Sequence, residues 1–152
     1  MKIRFIWPGK TRDQHARELL AEYLKRLTRF ARCEVSEVRE VAASDSSNVE
    51  KESRRLLEAI PAGSWMILLD VAGREWSSRE LAGELQRFEN DSVKEIAIVI
   101  GGTNGVDNKV VERAQQRWSL SRLTFTHEMA RVLAVEQIYR AFTINRGLPY
   151  QK

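Results

Sequence analysis

Two short apolar runs, Trp65-Met-Ile-Leu-Leu69 and Glu95-Ile-Ala-Ile-Val-Ile100, leave this chain few ways to fold. Each has the length of a strand, and neither alternates in a way that would turn one side to water. Strands of that kind are covered on both faces, the situation in a parallel sheet with helices above and below. The intervening sequence supplies those helices. Lys2 to Trp7 alternates polar and apolar residues as a first strand, and Thr11 to Phe30 places Ala16, Leu19, Leu20, Tyr23, Leu24 and Leu27 on one helix face. Cys33 to Val41 reads as a second strand, and Val49, Leu56, Leu57 and Ile60 mark a second helix that stops at Pro61-Ala-Gly63. Ser77-x-x-Glu80 is a capping box opening a third helix, which buries Leu81, Leu85 and Phe88. Asn108 to Arg117 reads as a short helix, Ser119 to Thr124 as a brief strand or extended turn, and His127 to Asn145 as the last helix. The alternation predicts an α/β fold with a mostly parallel sheet and helices on both faces. At 152 residues the expectation is a single domain, 1–152, with a core that needs no staples.

The last helix is apolar over most of its circumference, from Met129 through Val132, Leu133, Val135 and Ile138 to Phe142 and Ile144. Such a helix is covered by more than one neighbour. Deep burial within one chain and cover by a second subunit both satisfy it, and its place near the C-terminus favours a homodimer. Glu136 and Arg140, four apart, leave only a narrow polar stripe with Thr143.

A composition 43% hydrophobic and 30% charged is that of a folded globule rather than a disordered chain. No apolar run has the length of a membrane span, and Met1 to Trp7 is too short for a signal peptide. The single cysteine, Cys33, excludes an internal disulfide and a cysteine-rich metal site. The expected location is the cytoplasm. The net charge of +4 is uneven: from Arg113 onward seven Lys/Arg face Glu128 and Glu136, which leaves −1 for the preceding residues. An excess of this kind is either a footprint for a polyanion such as RNA or a basic solvated face.

Gly101-Gly102-x-x-Gly105 follows a strand and precedes a helix, but has neither the Lys-Ser/Thr of a P-loop nor dinucleotide-fingerprint spacing. A tight turn explains it equally well. Its neighbours add weight. Leu69-Asp70 ends one strand and Ser119 to Thr126 follows another, and in an open α/β sheet such carboxyl-end loops converge on one crevice. Backbone groups there suit an adenosine-type ligand. His127 is a lone imidazole at a helix start, a structural or a catalytic residue. Neither His127 nor His15 has metal-ligand spacing, so no metal is expected. Trp7, Trp65 and Trp118 are expected in or near the core.

An ordered set of motifs carries a resemblance. Leu68-Leu69-Asp70-x-x-Gly73, Ile100-Gly101-Gly102-x-x-Gly105, Trp118-Ser-Leu-Ser-x-Leu-Thr124, His127-x-x-x-Arg131, Glu136-Gln137-x-Tyr139-Arg140-Ala141 and Pro149-Tyr150 together resemble the RlmH family. These are small SPOUT-class methyltransferases that use S-adenosylmethionine to methylate N3 of a pseudouridine in helix 69 of the 23S ribosomal RNA. The resemblance implies a C-terminal trefoil knot and a homodimer in which each site uses both chains. It also implies that the assembled ribosome is the substrate. Carried over, Leu69, Gly101, Gly102, Gly105, Leu120, Ser121, Arg122, Leu123, Thr124, Phe125 and Thr126 line the cofactor pocket. Tyr150, Gln151, Lys152, Arg140 and His127 are the candidate catalytic residues. Gln151 stands where the family has histidine, and glutamine cannot take a proton. That leaves His127 or a solvent water for the proton, Tyr150 and Gln151 for orientation, and Arg140 and Lys152 to offset phosphate charge. Two other classes fit the same residues: a ribosome-binding factor of this fold without turnover, and a nucleotide-dependent enzyme using the glycine loop for phosphates.

Overall fold

The computed structural model describes residues 1–150. Five strands, β1 (Lys2–Pro8), β2 (Arg32–Val38), β3 (Trp65–Glu75), β4 (Glu95–Ile100) and β5 (Gln116–Ser119), form one sheet in the order β2-β1-β4-β3-β5, every pairing parallel. Five helices, α1 (Gln14–Leu27), α2 (Asn48–Ala59), α3 (Ser78–Asn90), α4 (Asn108–Arg113) and α5 (His127–Asn145), accompany it. β4 lies between β1 and β3, and its side chains divide strictly by parity. Ile96, Ile98 and Ile100 join a core with α1, α3 and α5, while Ala97 and Val99 join a second core with α2 and α4. The connections obey one rule. The two that step toward β2, through α1 and α3, use one face, and the two that step toward β5, through α2 and α4, use the other. A single crossover hand requires that separation.

Most of the expected elements stand within a few residues of their predicted bounds, because caps and sheet pairing trim them. The first helix starts at Gln14 rather than Thr11, where the Asp13 carboxylate accepts from the Ala16 N–H as N-cap. The Ser77–Glu80 capping box forms reciprocally, as its spacing predicts. β2 ends at Val38, three residues before the predicted limit, where its pairing with β1 ends at Pro8.

Two differences matter for the site. The helix predicted over Asn108 to Arg117 stops at Arg113, and the strand predicted over Ser119 to Thr124 lies earlier, at Gln116–Ser119. Gln115 explains the shift: its N–H donates to the Met66 carbonyl and its side-chain oxygen accepts from the Met66 N–H. Pairing with β3 outbids the local helical pattern. β3 also continues past Leu69. Its register on β5 jumps between Leu69 and Arg74, so Asp70 to Gly73 forms a bulge in the strand rather than its end. Glycine is required at 73, since a Cβ there would lie 2.6 Å from the Arg117 carbonyl carbon.

The cover that the apolar last helix needs comes largely from its own chain. α5 packs between α1 and α3 over the sheet, and of its large apolar side chains only Met129 is exposed. Its composition therefore does not by itself require a second subunit. Phe142, fully buried and stacked on Phe30 with ring centroids 5.7 Å apart, anchors this layer. Phe142→Ala should lower the unfolding free energy by about 3–5 kcal/mol in urea titration; a loss below 1 kcal/mol would mean that the layer repacks freely.

Candidate active site

The carboxyl end of β4 is flanked by strands whose connections leave to the opposite face, the position where open α/β sheets hold ligands. There the chain turns through Gly101 to Gly105. Gly105 has φ +78° and its N–H donates to the Gly102 carbonyl at 3.0 Å, closing a tight loop. A Cβ at Gly101 would come within 2.9 Å of Val106 Cγ1, so the loop lies flat against its own return.

Three segments enclose a cleft of about 920 Å³ over this loop. The β3 bulge contributes Leu68 to Val71, the glycine loop contributes Ile100 to Thr103 with Gly105 and Val106, and Thr124 to His127 with Ala130 close it from the start of α5. A smaller depression beside it is lined by Leu120, Ser121 and Leu123 together with Leu69 and Phe125. Internal bonds hold that strap: Ser119 Oγ donates to the Ser121 carbonyl, and Ser121 Oγ accepts from the Leu123 N–H. Of the residues predicted to hold a cofactor, all but Arg122 therefore border the cleft or its annex. Arg122 turns outward, its side chain 91% exposed, with a loose ion pair to Glu75 at 3.9 Å.

His127, at the first turn of α5, faces both this cleft and a second cavity on the far side of the glycine loop. Its Nδ1 lies 3.5 Å from Thr103 Oγ1. Thr126 is the N-cap of α5, its hydroxyl accepting from the Met129 N–H. Asp70 is locked in the bulge by the Arg117 guanidinium, at 2.7 and 2.9 Å, and by the Ala72 N–H. Partial burial opposes its charge, but the Ala72 and Arg117 hydrogen bonds outweigh burial and hold the carboxyl below its ordinary range.

Two other candidate catalytic residues, Arg140 and Tyr150, meet elsewhere. Tyr150 donates to Glu136 Oε1 at 2.8 Å, its ring sits edge-on to Tyr139, and the Arg140 guanidinium lies 4.8 Å from its centroid. Burial, then hydrogen bonds with Tyr23 and Glu136, raise the phenol pKa and keep the hydroxyl protonated. Arg140 lies ten residues of continuous helix past Ala130 at the cleft wall, about 15 Å at 1.5 Å per residue. One chain thus separates Arg140 and Tyr150 from its own cleft. Gln151 and Lys152 lie outside the described residues.

Arg131 has a larger structural part than its sequence suggested. It is fully buried, its guanidinium 5.0 Å from the Trp7 ring centroid, donating to the Pro8 carbonyl at 2.6 Å and to Thr11 Oγ1 at 3.0 Å. Burial lowers its pKa, opposed by the charges of Glu128, Glu37 and Glu40. One turn away, Glu128 accepts from the N–H groups of Arg12 and Asp13. Together they clamp the loop after β1 to the start of α5. The signal was an arginine within the apolar first half of the last helix, four residues after His127.

The basic excess of the C-terminal third does not form one face. Arg117, Arg140 and Arg146 are bound to Asp70, Glu136 and Glu89, Arg113 reaches the Ser64 carbonyl, and Arg131 is internal.

A parallel sheet with a glycine-looped cleft at β4 and a strap before the last helix is the frame of a SPOUT methyltransferase, and residues 1–151 match the family described as "Predicted SPOUT methyltransferase". Within that class the chain belongs to the RlmH family. It is 43% identical over 151 residues to a protein of Gloeobacter violaceus named ribosomal RNA large subunit methyltransferase H, covering 99% of this chain and 98% of that one. It is 41% identical over 151 residues to the protein of that name from Geobacter sulfurreducens, covering 99% of both. The fold also resembles the crystal structure of a probable methyltransferase from Bordetella pertussis, with TM-score 0.56 and 17% identity over 91% of this chain and 95% of that one.

The Asp70–Arg117 pair generates a pH prediction. A carboxyl whose folded pKa is depressed contributes stability that is present above its unfolded value and is lost as pH falls through its folded value. Asp70→Asn should therefore be less stable than the parent at pH 7, and the urea midpoints of the two should begin to converge as pH falls below about 3.9, the unfolded value, and meet below the lower folded value. A gap that does not narrow at all as pH falls below the unfolded value would assign the loss to shape rather than charge.

Proposed function

We propose that this chain is an S-adenosylmethionine-dependent methyltransferase acting on N3 of a pseudouridine in helix 69 of the 23S ribosomal RNA. The observation that carries the reading is the cleft over the glycine loop in a chain that matches large-subunit rRNA methyltransferases along its whole length. The cleft suits the donor: about 920 Å³ is within the range of small-molecule sites, and apolar side chains and glycine backbone dominate its wall. Leu69, Gly101, Gly102, Gly105 and the strap from Leu120 to Thr126 would hold the donor, which supplies an electrophilic methyl group when bound. Arg122, exposed at the strap's tip, is assigned to RNA contact instead.

The acting form is a homodimer, and the separation along α5 supports this. Arg140 lies about 15 Å of helix beyond Ala130 at the wall of its own cleft, with Tyr150 packed against it, so they serve a cleft only when a second copy brings them there. Tyr150 helps to orient the base with its ring, held by the hydrogen bond its hydroxyl donates to Glu136 and by the Arg140 guanidinium, Gln151 assists, and Arg140 and Lys152 offset phosphate charge. Holding donor and base in line contributes roughly 7–11 kcal/mol at best. The knot belongs to the same proposal: β5 pairs at the sheet edge, yet α5 returns to pack against α1. The partner is ribosomal RNA in the assembled particle, in the cytoplasm.

Calorimetry with S-adenosylmethionine, and mass spectrometry of helix 69 in ribosomes lacking the modification, test the reading. Donor binding and one added methyl at N3 are expected; a dimer that binds ribosomes but no donor would instead be a binding factor. Mixing tests the shared site. Tyr150→Ala and Gly101→Val homodimers should each be inactive. Co-refolded in equal amounts, they should recover about a quarter of the parental activity, the share of sites that draw intact parts from both chains. No recovery would place Tyr150 and the cleft in one chain's site.

A further inference from the structure

Behind the glycine loop lies a second cavity of about 310 Å³ that none of the roles above uses. It adjoins the larger cleft, the two sharing Gly102, Thr103 and His127. Its inner wall is the first turn of α2. Asn48 and Glu52, four residues apart, share a helix face and both line the cavity. Asn48 is 9% exposed, and it is not among the residues with a sealed, unpartnered polar atom, so the exposure it has is to the cavity it lines. Glu52 is anchored by one oxygen only. Its Oε2 accepts from the Val41 N–H at 2.8 Å, while Oε1 lies beside Gly102, where a Cβ would come within 2.8 Å of it. No cation pairs with Glu52 among the described residues. Across the mouth, Arg12 is joined to Glu40. Beyond that pair runs a groove lined by Lys10, Arg17 and Arg39 together with Glu37 and Glu40.

An amide and a carboxylate side by side match one edge of a pyrimidine. An imide presents a carbonyl, an N–H and a second carbonyl in a row. The amide N–H can donate to a carbonyl while the carboxylate accepts from the ring N–H. Resting on the methyltransferase reading above, we propose that this cavity seats the target base, with Asn48 and Glu52 on its imide edge. Glu52 accepts the proton of the reacting nitrogen. As the N–C bond to the transferred methyl forms and the S–C bond of the sulfonium donor breaks, the N–H electron pair stays on the ring and the proton passes to Glu52 Oε1. The donor leaves as a neutral thioether, so charge balances. The groove at Lys10, Arg17 and Arg39 then carries the phosphates of the same strand. The absence of a side chain at Gly102 keeps the two cavities in communication.

Glu52→Gln and Asn48→Ala test this, with ribosomes lacking or carrying the N3 methyl as probes. Glu52→Gln keeps an oxygen for the Val41 N–H, so its melting temperature and donor affinity should match the parent. Its single-turnover rate should fall by roughly 10²–10⁴-fold, the contribution of a positioned base. The parent should bind unmethylated ribosomes at least about tenfold more tightly than methylated ones, the effect of a hydrogen bond to a charged acceptor. That preference should shrink in Glu52→Gln. Asn48→Ala should weaken ribosome binding more than it slows saturated turnover. A parental rate in Glu52→Gln would remove its role as base, and an unchanged preference in both variants would remove the base from this cavity. Failure of the parent itself to bind donor or to methylate would instead overturn the underlying methyltransferase reading.

Discussion

The burial of β4 on both faces is the constraint from which the site follows. Each fully buried Ile or Val is worth about 1.5–3 kcal/mol relative to exposure, and β4 contains four of them split between two cores. A strand with that demand has no stable place except between two others, with helices above and below. Once β4 is central, the residues after Ile100 must emerge at the carboxyl edge and leave to the face opposite the connections of both neighbouring strands. The crevice is thus a consequence of packing, and glycine at 101, 102 and 105 is what lets the backbone turn tightly enough to floor it.

A second layer of constraint fastens the loops around that crevice. Arg131 is the least expected part of it, a charged side chain inside an apolar layer, held by a carbonyl, a hydroxyl and an indole face instead of a carboxylate. Removing a buried charge from water is expensive, so such a residue is tolerated where its bonds join pieces that apolar contact alone would leave free to slide. Here those pieces are the loop after β1 and the first turn of α5. Asp70 and Arg117 do the same for the β3 bulge on the other side. The walls of both cavities are consequently held by charge-assisted bonds, while their floors are set by the sheet.

Local patterns in the sequence were legible where one element's own residues decide its state. The Ser77 capping box, the bounds of the last helix and the centrality of β3 and β4 could all be read from spacing and hydrophobicity. The elements at α4 and β5 could not. Gln115 to Ser119 takes its conformation from Met66 and its neighbours some fifty residues away, and no window around it contains that information. The apolar circumference of α5 likewise fitted two kinds of neighbour, and α1 and α3 supply most of the cover.

For the site the division is similar. The chain's own order of residues determined which loops meet, because a parallel α/β sheet sends the ends of β3, β4 and β5 to one edge whatever the details. Tertiary structure alone decided that Arg140 and Tyr150 stand a helix length from that edge, that Arg122 faces out, and that Asn48 and Glu52 border a second cavity. These are matters of distance between segments remote in sequence. They depend on how far a helix runs and which face it presents once packed, and packing is a property of the whole core rather than of any stretch of it.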